Sequence, residues 1–287
     1  TVTDARNAVG SDEVVITIVQ DQSAPAVTIQ GPGEGAWVRG TSTKVSGAIT
    51  EELKLNKVAI DGRTVRWFVG PGPGYIFEGT ARLDAEGPNL VVVEATDLGG
   101  KSSTAEITIN RDRGLPALSS LDVAPTDGFS MSEMGGRTFF TAPEVTVSGE
   151  VSDPEPSSGI GFVKVGKDTI FQAAGAFSSD LVLGREGANN ITLWAHDTVG
   201  NKVKQTIQAI RDTKVPSLSV SAPSKNALVE PDEVAVHGSA RDYGSGIAAV
   251  TVNGDTAAMN GRSYHATVAL AEGVTTLTVV ATDSAGR

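Results

Sequence analysis

The fold is best indicated by the stretch Leu183-Gly-Arg-Glu-Gly-Ala-Asn-Asn-Ile-Thr-Leu-Trp-Ala-His-Asp-Thr-Val-Gly-Asn201. It joins a glycine turn to a run with apolar residues at alternate positions, and it closes on an Asp-x-x-Gly turn. This period of two is typical of a strand buried on one face. The closing phrase recurs at Asp97 and Asp283, and more loosely at Asp4, at intervals of 86 to 100 residues. That interval fits one seven-stranded β-sandwich and excludes shorter helical repeats.

A second phrase recurs at intervals similar to those of the first and marks the boundaries between repeats. It reads Asp21-x-x-x-Pro25, Asp112-x-x-x-Pro116 and Asp212-x-x-x-Pro216. Proline has no backbone donor, so each one ends strand pairing and stiffens the entry to the next domain. The predicted domains are a C-terminal strand remnant of a preceding repeat at 1–21, a repeat at 22–113, a repeat at 114–213 with an inserted loop near 123–142, and a repeat at 214–287 lacking its last strand.

Short motifs inside each repeat predict antiparallel strands joined by tight turns. Val45-Ser46-Gly47, Val147-Ser148-Gly149 and Val236-His237-Gly238 occupy corresponding positions. Asp61-Gly62 and Asn253-Gly254 are strong hairpin signals, because these residues tolerate positive φ. The sequence therefore predicts an all-β fold.

Composition removes several classes of function. The 287 residues contain no cysteine and carry a formal net charge of −11, so disulfides and thiolate sites are absent and nucleic acid is repelled. No apolar run is long enough to insert in a membrane within this chain, which reads as a mature protein or an excised fragment.

Its three histidines form no metal or nucleophile motif, and we expect it not to be an enzyme. We expect His196 to face outward from its strand.

The phrases Leu183 to Asn201 and Asn253 to Gly286 resemble the immunoglobulin-like repeats of large bacterial surface adhesins. They are also similar to the immunoglobulin-like module of secreted glucodextranases. The sequence departs from the family pattern at Gly100 and Arg287, where asparagine is frequent. The resemblance implies tandem immunoglobulin-like antiparallel β-sandwiches arranged as a linear rod. It also implies an extracellular, cell-surface, structural or adhesive role as a spacer or stalk, with neighbouring repeats, identical subunits, a surface glycan or a protein receptor as partners.

A carbohydrate-binding accessory region of a secreted polysaccharide-degrading enzyme is an alternative function. Its candidate contacts are Trp67, Phe68 and Tyr75, which flank a Pro/Gly-rich loop that could present exposed aromatic rings. The same side chains could instead pack into their own sandwich. We expect Trp37 and Trp194 to be core residues.

A filament subunit that polymerises head to tail is a further alternative. The apolar strand containing Val14, Val15, Ile16 and Ile18 could complete the open sandwich of the next subunit. A chain cut from a longer array would explain the same open ends.

The recurring aspartates have two interpretations. Asp97, Asp197 and Asp283 could accept hydrogen bonds from their own turns, as aspartates followed by glycine do. Alternatively they could join Asp112 and Asp212 to bind Ca²⁺ at domain junctions, because hard cations prefer carboxylate and carbonyl oxygens. Asp153 and Asp242 lie in a matching loop and offer a second cation site or a solvated turn. No cofactor is required, and Ca²⁺ is the candidate.

Overall fold

The computed structural model describes residues 2–3, 9–10, 13–14, 23–52, 54–72, 74–128, 131–134, 136–170, 174–229 and 232–287. The chain divides into two compact units, Thr1–Asp112 and Arg113–Arg287. The described residues are strands, turns and irregular segments, so none of them provides a helix that could span a membrane. Of the predicted inter-subunit strand, Val14 is described and 81% exposed, whereas Val15, Ile16 and Ile18 lie outside the described residues.

The first unit holds one sandwich, which we call sandwich 1 and which is formed by β3 to β11. One sheet has the order β3-β5-β9-β8 and the other has the order β4-β11-β10-β6-β7, with β4 parallel to β11. The strands of this unit are β1 (Val2–Thr3), β2 (Val9–Gly10), β3 (Ala26–Gly31), β4 (Ala36–Val38), β5 (Ser42–Thr50), β6 (Leu55–Ile60), β7 (Arg63–Thr64), β8 (Arg66–Val69), β9 (Tyr75–Arg82), β10 (Gly87–Asp97) and β11 (Ser102–Arg111).

The second unit holds two further sandwiches. In sandwich 2, β12-β15-β18 faces β13-β14-β20-β19-β16-β17, and in sandwich 3, β21-β22-β26-β25 faces β24-β23-β27. The strands are β12 (Ala117–Pro125), β13 (Met131–Met134), β14 (Arg137–Phe140), β15 (Glu144–Ser152), β16 (Ile160–Val165), β17 (Asp168–Ile170), β18 (Gly175–Val182), β19 (Gly187–Asp197), β20 (Lys202–Arg211), β21 (Ser217–Ala222), β22 (Glu233–Arg241), β23 (Ile247–Val252), β24 (Asp255–Thr256), β25 (Ala258–Asn260), β26 (Ser263–Ala269) and β27 (Val279–Asp283).

Each sandwich encloses its own apolar core, built from the inward positions of alternating strands. Val91, Val93 and Ala95 of β10 are fully buried, and Leu193 and Ala195 of β19 occupy the same register. The third core contains fewer buried apolar residues and includes Tyr264. The prediction of an all-β chain of tandem immunoglobulin-like sandwiches is confirmed, while the boundaries at residues 22, 114 and 214 remain predictions.

The predicted turns form as their residues require. Asp61 and Gly62 have φ of 48° and 75°, and Asn253 and Gly254 have φ of 49° and 94°. Positive φ at both central residues is the geometry of a tight hairpin turn, which aspartate, asparagine and glycine tolerate best.

The stretch 123–142 is not wholly without a counterpart, contrary to the expectation from its sequence. Strand β14 pairs in parallel with β20, as β4 does with β11. Phe139 and Phe140 are buried, so this end of the stretch belongs to the sandwich. The correspondence was hidden because β4 and β14 share no motif. Strand β13 forms a hairpin with β14.

The glycine of each Val-x-Gly motif makes room for an aromatic ring on the neighbouring strand. Gly47 pairs with Phe77, Gly149 with Phe177 and Gly238 with Tyr264. A Cβ on Gly149 would lie 2.9 Å from Cζ of Phe177. The motif therefore records a packing requirement that the sequence alone did not explain.

Candidate metal centre

Three aspartates of the second unit converge where sandwich 2 continues into sandwich 3. Asp212 directly follows β20, Asp242 follows β22 and Asp283 ends β27. One carboxylate oxygen from each lies within 4.8 Å of the others. Asp212 and Asp283 are fully buried, and Asp242 is half-buried.

The backbone fixes the orientation of all three carboxylates. Oδ2 of Asp242 accepts the N–H groups of Gly244 (2.7 Å) and Gly246 (2.9 Å), which closes the loop between β22 and β23. Oδ2 of Asp212 accepts the N–H of Ser245 at 2.6 Å, so the linker carboxylate is held by the same loop. The three side chains are therefore placed before any ligand arrives.

Asp283 uses its two carboxylate oxygens differently. Oδ1 accepts the N–H of Arg287 at 2.8 Å, which is the turn interaction that the sequence predicts. Oδ2 is buried and has no hydrogen-bond partner among the described residues. A buried carboxylate oxygen without a partner carries a large desolvation cost, which a bound cation would remove.

Asp97 and Asp197 repeat the turn interaction. Their Oδ1 atoms accept the N–H groups of Lys101 (3.0 Å) and Asn201 (2.7 Å). The second oxygen of Asp197 accepts Nδ2 of Asn201 at 2.6 Å, whereas that of Asp97 has no partner in the described part of the chain. At Asp97 and Asp283 the turn interaction therefore leaves the second carboxylate oxygen available to a cation, whereas at Asp197 that oxygen already accepts a hydrogen bond.

The centre is strongly acidic. Burial raises the pKa of Asp283, and repulsion from Asp212 and Asp242 raises it further against the opposing hydrogen bonds from Arg287 and Ala285. Among the described residues, no basic side chain forms an ion pair with the three carboxylates. Three oxygen ligands with excess negative charge suit a hard divalent cation such as Ca²⁺.

Arg287 braces the junction instead of neutralising the carboxylates. Its guanidinium donates to the carbonyl oxygen of Thr213 at 2.8 Å and to that of Thr141 at 2.9 Å. Thr213 also donates its N–H to Glu186 of sandwich 2 at 3.0 Å. The linker residue is thereby held by both sandwiches.

Arginine residues just before the linker aspartates were missed in the sequence. Arg111 and Arg211 end their strands and donate to the carbonyl oxygens of Leu83 and Leu183, respectively. Arg111 also pairs with Glu86 at 3.1 Å. The signal was present as the repeated dipeptide Arg-Asp, whose first residue anchors the end of the last strand and fixes where the aspartate begins the linker.

The structure brings together residues that the sequence assigned to two separate cation sites. The predicted loop aspartate Asp242 lies beside the linker Asp212 and the turn Asp283 in one cluster. In the equivalent loop of sandwich 2, between β15 and β16, Oδ2 of Asp153 accepts the N–H of Gly159 at 3.0 Å. Asp112, which ends the first unit, is fully buried and donates its N–H to the carbonyl oxygen of Val38.

The predicted sugar platform does not form as one surface. Trp67 and Phe68 are consecutive in β8, so they point to opposite faces of the sheet. Trp67 and Tyr75 pack against the core, while Phe68 is 56% exposed. Tyr75 borders a shallow depression of about 490 Å³, and Trp67 and Phe68 do not line it.

Two tryptophans expected in the core lie elsewhere. Trp37 and Trp194 are half-buried and belong to none of the three cores. Trp194 occupies an outward position of β19 together with His196. The outward position predicted for His196 agrees with this register.

Comparisons with solved structures found several modular proteins at low sequence identity. One is a tetra-tandem repeat in the extending region of a large adhesion protein (19% identity, 92% of this chain and 71% of that chain, TM-score 0.29). Others are fibronectin(III)-like modules of CbhA from Clostridium thermocellum (14%, 64% and 93%, 0.35) and an I-band fragment of titin (10%, 87% and 89%, 0.44). A search of curated protein sequences found no significant match.

The third sandwich also matches a family model. A family model described as glucodextranase, domain B, matches residues 216–287. This stretch supplies Asp242 and Asp283 of the metal centre. The resemblance inferred from the sequence is thereby confirmed for residues 216–287, which are similar to domain B of glucodextranase.

Proposed function

We propose that this chain is an extracellular structural repeat region of a bacterial surface protein. It acts as a spacer in which Ca²⁺ bound by Asp212, Asp242 and Asp283 fixes sandwich 3 relative to sandwich 2. The resemblance of the repeats to those of bacterial surface adhesins and secreted glucodextranases supports an extracellular setting, and residues 216–287 match the family model of glucodextranase, domain B. The role is non-enzymatic.

The observation that carries the proposal is the origin of the three ligands. Asp212 extends from the last strand of sandwich 2, whereas Asp242 and Asp283 belong to sandwich 3. A cation held by all three restrains the linker with respect to the domain that follows it. Stabilisation by such an ion follows the binding relation RT ln(1 + [L]/Kd), about 2.7 kcal/mol at a hundred times Kd.

A spacer needs a defined angle between successive domains, and several contacts support this at the junction. Thr213 is held by Glu186 on one side and by Arg287 on the other. These contacts remain when the cation is removed, so we expect chelation to widen the distribution of interdomain angles without unfolding either sandwich.

Spin-label distances test the proposal directly because the chain has no cysteine of its own. Ser178→Cys in sandwich 2 and Thr267→Cys in sandwich 3 place labels at exposed positions. We expect a narrow distance distribution in Ca²⁺ and a broader one in chelator. The same pair combined with Asp283→Asn should be broad in both.

A control pair, Ser178→Cys with Asp168→Cys, lies wholly within sandwich 2 and should give the same distribution in both buffers. Equal widths in Ca²⁺ and chelator for the pair that bridges the junction would contradict the proposed function.

A further inference from the structure

Sandwich 2 carries a cluster of aromatic and basic side chains on the outer face of the β16-β19-β20 sheet. Lys164, Trp194 and Lys204 form one row across the three strands. Phe162, His196 and Lys202 form the neighbouring row. We call these six residues the aromatic–lysine face.

The rings of this face lie against one another. The Phe162 and His196 rings are stacked, with centroids 4.3 Å apart and planes 19° apart. The Trp194 centroid is 6.2 Å from that of His196. The three rings therefore form a continuous strip across two adjacent strands, outside the core.

Positive charge surrounds the strip. The ammonium groups of Lys202 and Lys204 lie 5.3 and 5.6 Å from the Trp194 centroid, and that of Lys164 lies 5.8 Å from the Phe162 centroid. Within the described ranges, no carboxylate forms an ion pair with these lysines. Burial lowers the pKa of His196, and Lys202 and Lys164 lower it further, against the opposing effect of Asp197.

The fold does not require this composition. In sandwich 1, the position equivalent to Trp194 in the register holds Glu94, which pairs with Thr104 instead of a lysine. In sandwich 3, Val280 and Thr282 occupy the outward positions of β27. Three concentrated lysines are also unusual on a chain whose net charge is −11.

We propose that the aromatic–lysine face binds an acidic polysaccharide, a glycan that bears carboxylate or sulfate groups. The C–H faces of sugar rings pack on aromatic side chains, and lysines pair with the anionic groups. Charge complementarity selects an anionic occupant. The acidic remainder of the chain repels polyanions in proportion to their charge density, and this density is high in nucleic acid, which carries a charge about every 1.7 Å along a duplex.

Glycan binding by the aromatic–lysine face is a role additional to that of a spacer, and it does not require the candidate metal centre. It also moves the candidate glycan contact from Trp67, Phe68 and Tyr75 to a different sandwich. The chain should still bind the glycan when no Ca²⁺ is bound. The two proposals are therefore tested independently.

Affinity electrophoresis in gels containing dextran sulfate, polygalacturonate or neutral dextran tests the proposal with defined probes. We expect the wild-type chain to be retarded by an acidic polymer and not by dextran. Trp194→Ala should weaken retention about tenfold or more, which is the order of effect seen when an aromatic ring that stacks on a ligand ring is removed.

A second variant keeps the test valid should Trp194→Ala fail to fold. Lys202→Gln with Lys204→Gln should lose binding to a similar extent, whereas Lys54→Gln with Lys57→Gln removes two charges from sandwich 1 and should retain it. Retention by dextran alone, retention unchanged in Trp194→Ala, or tighter binding of single-stranded DNA would overturn the proposal. So would absence of retention, or self-association of the chain that Trp194→Ala abolishes.

Discussion

Gly244 lies so close to Asp212 that residue 244 has no room for a side chain. A Cβ there would overlap Cγ and Oδ1 of Asp212 and would lie 2.6 Å from Oδ2. The atoms in the way are the end of a side chain, so the carboxylate would move and the backbone would not. This glycine therefore determines where the linker carboxylate sits in the metal centre.

Gly244→Ala should weaken Ca²⁺ binding with little effect on folding. Because the displaced group is a proposed ligand, we expect a loss of affinity of about 10–100-fold, as for changes that disturb ligand orientation. Calcium titration and thermal unfolding in chelator measure the two quantities separately. Gly184→Ala is the control, since a Cβ there meets no atom within 4 Å. A large drop in melting temperature in chelator, with unchanged affinity, would refute this explanation.

The pH dependence of stability should report the charge on Asp283. Its folded pKa is raised above the ordinary value of 3.8 by burial and by Asp212 and Asp242. In metal-free buffer the folded state takes up this proton at a higher pH than the unfolded state does. The contribution of Asp283 to the free energy of unfolding should therefore rise as pH falls from 7 through the folded pKa.

Comparison with Asp283→Asn isolates that contribution from the other carboxylates. Denaturant unfolding of metal-free protein should show the wild type gaining stability relative to the variant as pH falls. In saturating Ca²⁺ the trend should reverse, since protons then compete with the cation. A difference that stays constant with pH in metal-free buffer would show that the carboxylate is not destabilised in the folded state.

Gly238→Ala should destabilise sandwich 3 by at least about 2 kcal/mol, because overpacking a rigid site has that order of cost. The added methyl would lie 2.5 Å from Cζ of Tyr264 and would also strike the carbonyl oxygen of Ser219, which is backbone. Chemical denaturation measures the change. The same substitution at Gly184, which is unobstructed, should have a much smaller effect.

Glu186 should stabilise the junction in its ionised form. Burial opposes ionisation, but hydrogen bonds from Thr213 and the charges of Arg211 and Lys214 hold the pKa of Glu186 below its usual value. Glu186→Gln should cost about 1–2 kcal/mol at pH 7, the difference between hydrogen bonds to a charged acceptor and to a neutral one. The cost should begin to shrink as pH falls below about 4.5, the ordinary pKa of glutamate, and should vanish below the lowered pKa of the folded state. Thr213→Val, followed by denaturation across the same pH range, checks that the hydroxyl contact is responsible.

Much of the fold follows from local patterns. Alternation along β10 and β19 and the turns at Asp61 and Asn253 are encoded by neighbouring residues, and neighbouring residues suffice to predict them. The pairing of β14 with β20 joins segments about seventy residues apart, and it has no motif. Register over such a distance depends on packing, which a single sequence does not display.

The members of the aspartate cluster were predicted separately, but their clustering was not. Asp212, Asp242 and Asp283 were each candidates, because they recur or occupy matching loops. The sequence did not show that they form one cluster, since that depends on how the linker turns after Arg211. It also treated turn and cation roles as mutually exclusive, whereas Asp283 uses one carboxylate oxygen in its turn and leaves the other without a partner among the described residues.

The aromatic side chains show the limit of composition as a guide. Trp194 was expected in the core, although strand alternation with buried Leu193 and Ala195 places it outside. Strict alternation along β19 would have predicted that Trp194 and His196 share the outer face of the sheet.

Calorimetric titration with Ca²⁺ measures directly whether Asp212, Asp242 and Asp283 bind the cation. It is done on metal-free wild type, Asp283→Asn and Asp255→Asn. Asp255 is an exposed aspartate of sandwich 3 outside the cluster and serves as the charge-matched control. We expect wild type and Asp255→Asn to bind one equivalent of Ca²⁺ that Asp283→Asn lacks. Equal stoichiometry and affinity in all three proteins would contradict it.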